Sequence, residues 1–374
     1  MSRPRGDRGS GRLRCREFAV GLERPLATAR GGITEREGFL VGVDAGGTSG
    51  VGEAAPLPGW TEAPDACRDA LRAASDGPLP GVDTPAARHA VTLAFRDAFA
   101  RRRGDSVATT LARQGDGRPD PAESVPANAT VGDGPVAETV AAAESAVAAG
   151  FRTLKVKVGA RPLAEDLERI EAVADAVGAT PPDAASDGAS VGEDADADDA
   201  TATLRADANG AWDRETATRA LRTLEGVVAY VEQPLSAGDL AGHAALRGVG
   251  APVALDESLA ACGPFAALAA DAADALVLKP MAIGGLERAA AVARAAARRG
   301  VDPVVTTTVD AAVARAGAVH LAAAIPGGAE RAHGLATGDL LAADVADDPV
   351  PVVDGRVAVP DGPGLAGEAF EGLV

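Results

Sequence analysis

The sequence predicts an α/β chain, a (β/α)8 barrel joined to a smaller α+β unit, on three observations. Between Val125 and Thr337, short apolar runs alternate with alanine-rich segments of helical period. Within that stretch Asp207, Glu232, Asp256 and Lys279 are separated by 25, 24 and 23 residues, the length of one strand, one helix and two loops. Outside it, both ends of the chain read as short strands with turn signals.

Residues 1–11 are rich in Gly, Ser and Arg and predict a disordered tail. From Leu13 to Leu22 polar and apolar residues alternate, with a phase slip at Glu17 and Phe18 that predicts a bulge. A second strand runs from Gly38 to Asp44, and T-A-R-G-G-I-T-E-R-E is expected as a loop across the end of the pair. Residues 62–78 and 84–102 carry Ala and Leu at helical spacing, and a polar linker follows from Gly104 to Ser124.

The barrel strands are expected in V-P-A-N-A-T-V, T-L-K-V-K-V, T-L-R-A-D-A, V-V-A-Y-V-E, P-V-A-L-D, A-L-V-L-K and P-V-V-T-T-T. Their helices are expected at 135–149, 162–177, 213–225, 238–247, 259–272, 285–299 and 310–323. A short element from His333 to Thr337 completes the eight. The runner-up, an open doubly wound sheet, lacks a G-x-G-x-x-G after its first strand. The tail P-V-V-D-G-R-V-A-V-P carries a D-G hairpin signal and is expected to return to the N-terminal sheet. The resulting division is a tail at 1–11, a capping domain at 12–120 completed by 345–374, and a barrel at 121–344.

The step from Lys157 to Asp207 is about double the others, and an acidic stretch explains it. Residues 183–200 hold seven Asp or Glu and no basic residue, which predicts a solvated insert at about 179–202 on the face away from the site. A calcium site there is the functional alternative, but the EF-hand pattern is missing.

The formal charge of -18 excludes a general binder of nucleic acid or anionic membrane, since both repel an acidic surface. Abundant Asp and Ala with few Lys look like a protein of a high-salt cytoplasm, where screening shortens to about 3 Å at 1 M salt. Cys15, Cys67 and Cys262 are odd in number and far apart, so they read as structural thiols. No apolar run reaches the roughly 18 residues of a membrane span, and the arginine-rich start lacks a signal peptide's apolar core. The expectation is a soluble cytoplasmic enzyme, monomeric or homo-oligomeric.

Only three lysines occur in 374 residues, against 33 arginines, and they are Lys155, Lys157 and Lys279. An amine can be tuned to carry a proton, whereas a guanidinium stays charged. Lys155 and Lys157 lie two apart on one strand and so face the same way. As neighbouring, partly buried cations they are expected to lower each other's pKa. Asp207, Glu232 and Asp256 end three consecutive strands, and so many carboxylates in one place call for a cation. An all-oxygen ligand set suits Mg²⁺, with Mn²⁺ as the alternative. Asn209 faces the same way as Asp207. A base, an opposing amine and a divalent cation equip a site to remove a proton α to the carboxylate of a small molecule. A Schiff-base lysine enzyme needs no carboxylate trio, and a non-catalytic barrel needs none of these groups.

In order, the motifs K-V-K (Lys155, Lys157), D-A-N-G-A-W (Asp207), E-Q-P (Glu232), D-E-S (Asp256) and L-K-P (Lys279) resemble the enolase superfamily, in its muconate-lactonizing-like subgroup. The resemblance covers nearly the whole chain after residue 12. It implies a modified TIM barrel with an α+β capping domain made from the N-terminus and the C-terminal tail. It also implies metal ligation by the three acids.

Within the subgroup, P-L-A-T-A-R-G-G-I-T-E-R-E-G, G-E-A-A-P-L-P-G-W and P-A-N-A-T-V-G look like the o-succinylbenzoate synthase family of menaquinone biosynthesis. That family dehydrates 2-succinyl-6-hydroxy-2,4-cyclohexadiene-1-carboxylate. The resemblance then implies Lys157 as base, Lys155 as its tuning neighbour and Lys279 as support for the enediolate. Cap loops around Thr28, Arg30 and Leu57 to Trp60 would close over the substrate. The seventh strand ends T-T-T-V-D, placing Thr306, Thr308 and Asp310 as substrate or supporting residues, with Asp310 where relatives carry Glu. The eighth-strand region H-G-L-A-T-G-D lacks the D-x-D of many dipeptide epimerases. N-succinylamino acid racemization and dipeptide epimerization use the same lysines and are the alternative activities.

Overall fold

A computed structural model describes residues 13–28, 31–75, 77–81, 83–114, 120–179 and 201–374. The expected tail, Arg30 and nearly all of the acidic insert lie outside the described residues.

The chain opens with three antiparallel strands in the order β1 (Arg14–Thr28), β2 (Gly31–Ala45) and β3 (Thr48–Ala54). Both long strands outrun the sequence expectation, and residues 31–37 of the anticipated loop belong to β2. Pairing is regular from Arg14↔Gly42 to Gly21↔Glu35, and the register shifts between Gly21 and Leu26 rather than at Glu17 and Phe18. A helix pair covers this sheet: α1 (Pro64–Ala74) and α2 (Pro85–Arg103), both with proline in the first turn. That position has no use for the amide hydrogen that proline lacks. Three arginines end α2, and Gly104 closes it in the left-handed region at φ +69°.

Alanine and glycine let α2 lie almost on β3. A Cβ at Gly52 would come within 2.0 Å of Ala90 O, and one at Gly50 within 2.2 Å of Ala94 O. The cap core is rich in small side chains at short range, with Leu13, Phe39, Leu71 and Met281 as its larger members. A short helix, α3 (Val107–Ala112), follows, capped by Ser106 Oγ accepting from Thr109 N.

The second unit starts at β4 (Ser124–Pro126) and β5 (Ala129–Val131), followed by α4 (Val136–Ala148). Strand and helix then alternate through β6 (Thr153–Lys157), α5 (Leu163–Ala176), β7 (Thr203–Asp207), α6 (Arg214–Thr223), β8 (Val228–Glu232) and α7 (Leu240–Leu246). After β9 (Val253–Leu255) the expected single helix is two, α8 (Glu257–Cys262) and α9 (Pro264–Ala269), because Gly263 and Pro264 interrupt it. The series continues with β10 (Ala275–Leu278), the one-turn α10 (Pro280–Ile283), α11 (Leu286–Ala297), β11 (Asp302–Val305) and α12 (Ala312–Ala324).

Strands β5 to β11 form one parallel sheet in sequence order, as a barrel wall requires. The expected eighth element forms no strand. Instead His333 bridges Ala127 and Gly334 bridges Thr306, so two residues span the gap between the two ends of the sheet. His333 N donates to Pro126 O at 2.8 Å and Gly334 N to Val305 O at 2.9 Å.

The tail hairpin, β12 (Val352–Val353) and β13 (Arg356–Ala358), pairs with β4 and not with the N-terminal sheet. Val125 supplies a buried edge residue opposite Val357 there. Residues beyond the hairpin do reach the cap: Val107 N donates to Gly364 O, and Leu365 N to Asp97 Oδ1.

Cap and barrel share a polar seam. Arg36 of β2, 3% exposed, donates to Val309 O, Ala55 O and Pro56 O. Glu53 of β3 is fully buried and accepts from Ala311 N and Ala314 N, which start α12. Its carboxyl is pushed up to about 8 by burial first and by Asp310 second, despite those two amide bonds.

Candidate active site

Strand ends gather the expected residues. Lys157, Asp207 and Glu232 are the last residues of β6, β7 and β8. Asp256 and Lys279 follow the last residues of β9 and β10 by one position, and Thr306 follows β11. The register pairs Lys157 with Asp207, and Asp207 with Glu232, so neighbours on the wall are neighbours at the mouth. Strand alternation keeps Lys155 on the same face, one level below Lys157.

Lys155 Nζ lies 3.1 Å from both Asp207 Oδ2 and Glu232 Oε1. Lys157 Nζ donates to Asp207 Oδ2 at 2.7 Å and to Asn209 Oδ1 at 2.8 Å. Lys279 Nζ donates to Asp256 Oδ2. The side chains of Lys155 and Lys279 are 16% and 12% exposed, while that of Lys157, at the rim, is 34% exposed.

Burial is the largest influence on the charged groups of the site, and their mutual charges come second. Burial pushes Glu232 up to about 7, with Asp207 adding to the rise and Lys155 opposing it. Burial likewise pushes Asp256 up to about 6 against the pull of Lys279. Asp207 goes the other way: burial would raise it, but Lys155 and Lys157 hold it well below the usual carboxylate range. The expectation that the paired lysines depress each other fails for Lys155. Burial lowers its pKa, yet Asp207, Glu232 and Asp256 outweigh that and hold it well above the ordinary amine value. Three acids within reach of one ammonium outnumber the one cationic neighbour.

The three acids fit a hard divalent cation by their chemistry, being oxygen donors on adjacent strand ends. Asp256 Oδ1 is buried and has no hydrogen-bond partner, as a ligand oxygen awaiting a cation would be. As the side chains lie, each acid is turned to a lysine, and among the described residues no three metal-binding side chains form a cluster.

Gln233 and Arg169 went unassigned in the sequence, whereas Asn209 and the loop of Trp60 were expected at the site. Gln233, fully buried at φ +44°, accepts from Asp256 N and Ser258 N at 3.1 Å and donates to Ser258 Oγ at 2.8 Å. It locks the turn that presents Asp256; its place inside E-Q-P was the available signal. Arg169 of α5, ion-paired to Asp166 at 2.8 Å, donates to Lys157 O and Gly132 O and so fixes the end of β6. Asn209, also left-handed at φ +44°, joins Lys157 to Glu257 by donating to Glu257 Oε1 at 2.9 Å. Trp60 lays its ring over Lys279, with Nζ 3.3 Å from the centroid.

Thr306, Thr308, Asp310 and Leu57 make their hydrogen bonds away from the lysines. Thr306 Oγ1 donates to Gly334 O at 2.9 Å and so pins the eighth position. Thr308 donates to Asp310 Oδ1, and Asp310 faces the polar seam, where it acts on both Arg36 and Glu53. Leu57 N donates to Thr61 Oγ1 in the turn that carries Trp60. Thr28 ends β1. A small cavity is bounded by Trp60, Asp256, Leu259, Val277, Lys279 and Ile283 among others. The larger cavity, 930 Å³, lies by Phe95 and Phe99 on the outside of α2 and contains none of the lysines or site acids in its wall.

A family model described as "Enolase C-terminal domain-like" matches residues 138–371. The o-succinylbenzoate synthase of Thermobifida fusca is 38% identical over 241 residues, 63% of this chain and 67% of that protein. The L-Lys-D/L-Arg epimerase of Methylococcus capsulatus is 30% identical over 367 residues, 92% of this chain and 94% of that protein. Among solved structures, the L-Ala-D/L-Glu epimerase of Bacillus subtilis has a TM-score of 0.79 at 26% identity, covering 95% of this chain and 97% of its own. The Methylococcus capsulatus dipeptide epimerase complexed with Mg and L-Arg-D-Lys has a TM-score of 0.77 at 29% identity, covering 95% and 98%. No described helix is long and apolar enough to cross a membrane. On the matched family model and this full-length similarity, the chain belongs to the enolase superfamily, in its muconate-lactonizing and epimerase-like subgroup.

Proposed function

We propose that this chain removes the proton α to the carboxylate of a small-molecule substrate, with Lys157 as the base and with Asp207, Glu232 and Asp256 holding Mg²⁺ or, alternatively, Mn²⁺. The observation that carries the proposal is the unbroken series of chemical groups along the mouth, Lys157, Asp207, Glu232, Asp256 and Lys279, one from each of five consecutive strands. Such a proton is weakly acidic, and its loss leaves an enediolate with negative charge on two oxygens. The divalent cation would take up that charge and cancel the mutual repulsion of the acids.

Lys157 suits the base by its place at the rim, where it reaches substrate, and by the Asn209 contact that aims it. Lys155, below it among the acids, supplies fixed positive charge. Lys279 stands across the mouth.

Two completions of the reaction differ in where the next proton goes. In the first, Lys279 returns a proton to the opposite face, giving a racemase or epimerase of an N-succinylamino acid or a dipeptide. Similarity to an epimerase over 92% of the chain, and to solved dipeptide epimerases over 95%, supports placing this first. In the second, Lys157 passes its proton to a departing β-hydroxyl on the same face, water leaves, and Lys279 contributes charge only. That is the o-succinylbenzoate synthase reaction, and its support is the higher identity, 38%, to the Thermobifida fusca synthase together with the missing D-x-D. A cytoplasmic, high-salt setting belongs to the same proposal, on the acidic composition.

The test offers three substrates to the purified protein with Mg²⁺: an N-succinylamino acid, a dipeptide and the cyclohexadiene precursor. Inversion of either of the first two supports the first completion, and appearance of the aromatic product supports the second. Failure of all three, with no α-proton exchange, would overturn both.

A further inference from the structure

We propose that Trp60 is the positioning residue for Lys279: its indole face, presented from the cap, holds the ammonium at the mouth of the barrel. The proposal rests on the reading of Lys279 as a working amine and adds what fixes it in place.

The ammonium is 3.3 Å from the ring centroid, well inside the roughly 6 Å reach of a cation–π contact. Apart from Asp256, the rest of the small cavity around it is aliphatic, lined by Leu259, Val277, Ala282 and Ile283 among others. Among the described residues the side-chain partners of Nζ are therefore Asp256 and the indole. Asp256 is also one of the three acids assigned to the cation. With that carboxylate engaged, the ring is what remains to hold a flexible four-carbon stem in one rotamer. An uncharged π face does this without offering a competing site for the proton that Lys279 must give or take.

The turn that carries the ring is closed by hydrogen bonds. Trp60 N and Thr61 N both donate to Leu57 O at 2.9 Å, and Leu57 N donates to Thr61 Oγ1 at 2.7 Å. Gly59 allows the turn at φ +108°, which a side chain would strain. Just beyond it, the Glu62 carboxylate accepts from Ala86 N and Ala87 N at the start of α2. Lys279 belongs to the barrel and Trp60 to the cap, so seating the cap completes the environment of the second amine.

The test compares W60F, which keeps a π face, with W60L, which does not. Deuterium exchange of N-succinyl-L-phenylalanine and of its D-enantiomer in D₂O with Mg²⁺ reads the two faces of the site separately. W60L is expected to slow about tenfold the enantiomer that K279R also slows, and to leave the other within about twofold, while W60F stays near wild type for both. Equal losses for the two enantiomers, or a W60F loss as large as that of W60L, would mean that Trp60 serves only the cap fold and would overturn the proposal.

A second readout is independent of turnover. The ¹⁹F resonance of 5-fluorotryptophan at position 60, assigned by its absence in W60F, is expected to move in K279M with and without Mg²⁺. An unmoved resonance would also overturn the proposal. If the wild type exchanges neither enantiomer, the racemase reading fails on its own, and the fluorine shift alone decides for Trp60.

Discussion

Lys157 and Asp207 are register partners at the carboxyl ends of adjacent parallel strands, with Nζ 2.7 Å from Oδ2. The backbone ladder thus sets the distance between the proposed base and the nearest proposed metal ligand. Asp207 is 1% exposed, but Lys155 lies 3.1 Å from the same Oδ2 and still compensates its charge when Lys157 is removed. K157M is expected to lose turnover by at least about a thousandfold while its thermal midpoint stays close to wild type. Kinetics and a melting curve on the same sample check this, and a K157M enzyme with substantial activity would remove the lysine from its role.

Asp256 gives the metal prediction. Its Oδ1 is buried and unpartnered, and its other oxygen faces Lys279. Mg²⁺ should raise the melting temperature of the wild type, since a ligand bound by the folded state alone stabilises it. D256N should lose both that rise and Mg²⁺-dependent turnover by orders of magnitude, while still folding. Full activity after exhaustive chelation would contradict the assignment.

Lys279 separates the two completions. A racemase needs it to exchange a proton; a dehydratase needs only its charge, which arginine keeps. In K279R, racemization of an N-succinylamino acid is expected to disappear. Dehydration of the cyclohexadiene precursor, where the protein performs it, is expected to persist. Steady-state assays of both reactions on one preparation give the answer, and racemization that survives K279R would exclude a two-base reaction.

Glu53 predicts a pH effect away from the metal ligands. Its folded pKa is about 8, against an ordinary 4.5, because burial disfavours its charge. Between those values the folded protein keeps a proton that the unfolded chain releases. Stability contributed here is present below pH 4.5 and falls as pH rises toward 8, by up to about 1 kcal/mol per unit. E53Q has no such proton to lose, so its stability should fall less steeply from pH 5 to 8 than that of wild type. Urea melts at four pH values test the difference in slope, which is insensitive to any constant cost of the amide at the start of α12. Parallel slopes would contradict it.

The formal charge of -18 predicts salt dependence. Screening reaches about 10 Å at 0.1 M salt and about 3 Å at 1 M, so self-repulsion should ease sharply between them. Helices of alanine bury modest area each and leave little margin to absorb repulsion. Melting midpoints in 0.1, 1 and 3 M KCl are expected to rise in that order. A flat series would remove the high-salt inference and leave the site untouched.

What the sequence revealed followed from period and spacing. Side-chain alternation put Lys155 and Lys157 on one face, and near-equal steps placed Asp207, Glu232, Asp256 and Lys279 at successive strand ends. Pairing choices were less legible. The eighth position is two bridging residues, His333 and Gly334, too short to have a period. The tail hairpin took β4 as its partner, and no local pattern encodes a pairing across more than 200 residues. Nor does spacing reveal charge balance: Lys155 is governed by three acids arriving from other strands. Gln233 and Glu53 were hidden for a related reason, since each acts through backbone amides far from it in sequence or in a later turn.

Solvent exchange of the substrate α-proton tests the central claim most directly, because it precedes either completion. In D₂O with Mg²⁺, wild type is expected to incorporate deuterium at the α-carbon of an N-succinylamino acid, with the label seen by ¹H NMR; K157M is expected to lose incorporation for the enantiomer whose proton Lys157 removes, and chelation to abolish it for both. Exchange that persists unchanged in K157M, or without any divalent cation, would contradict the account.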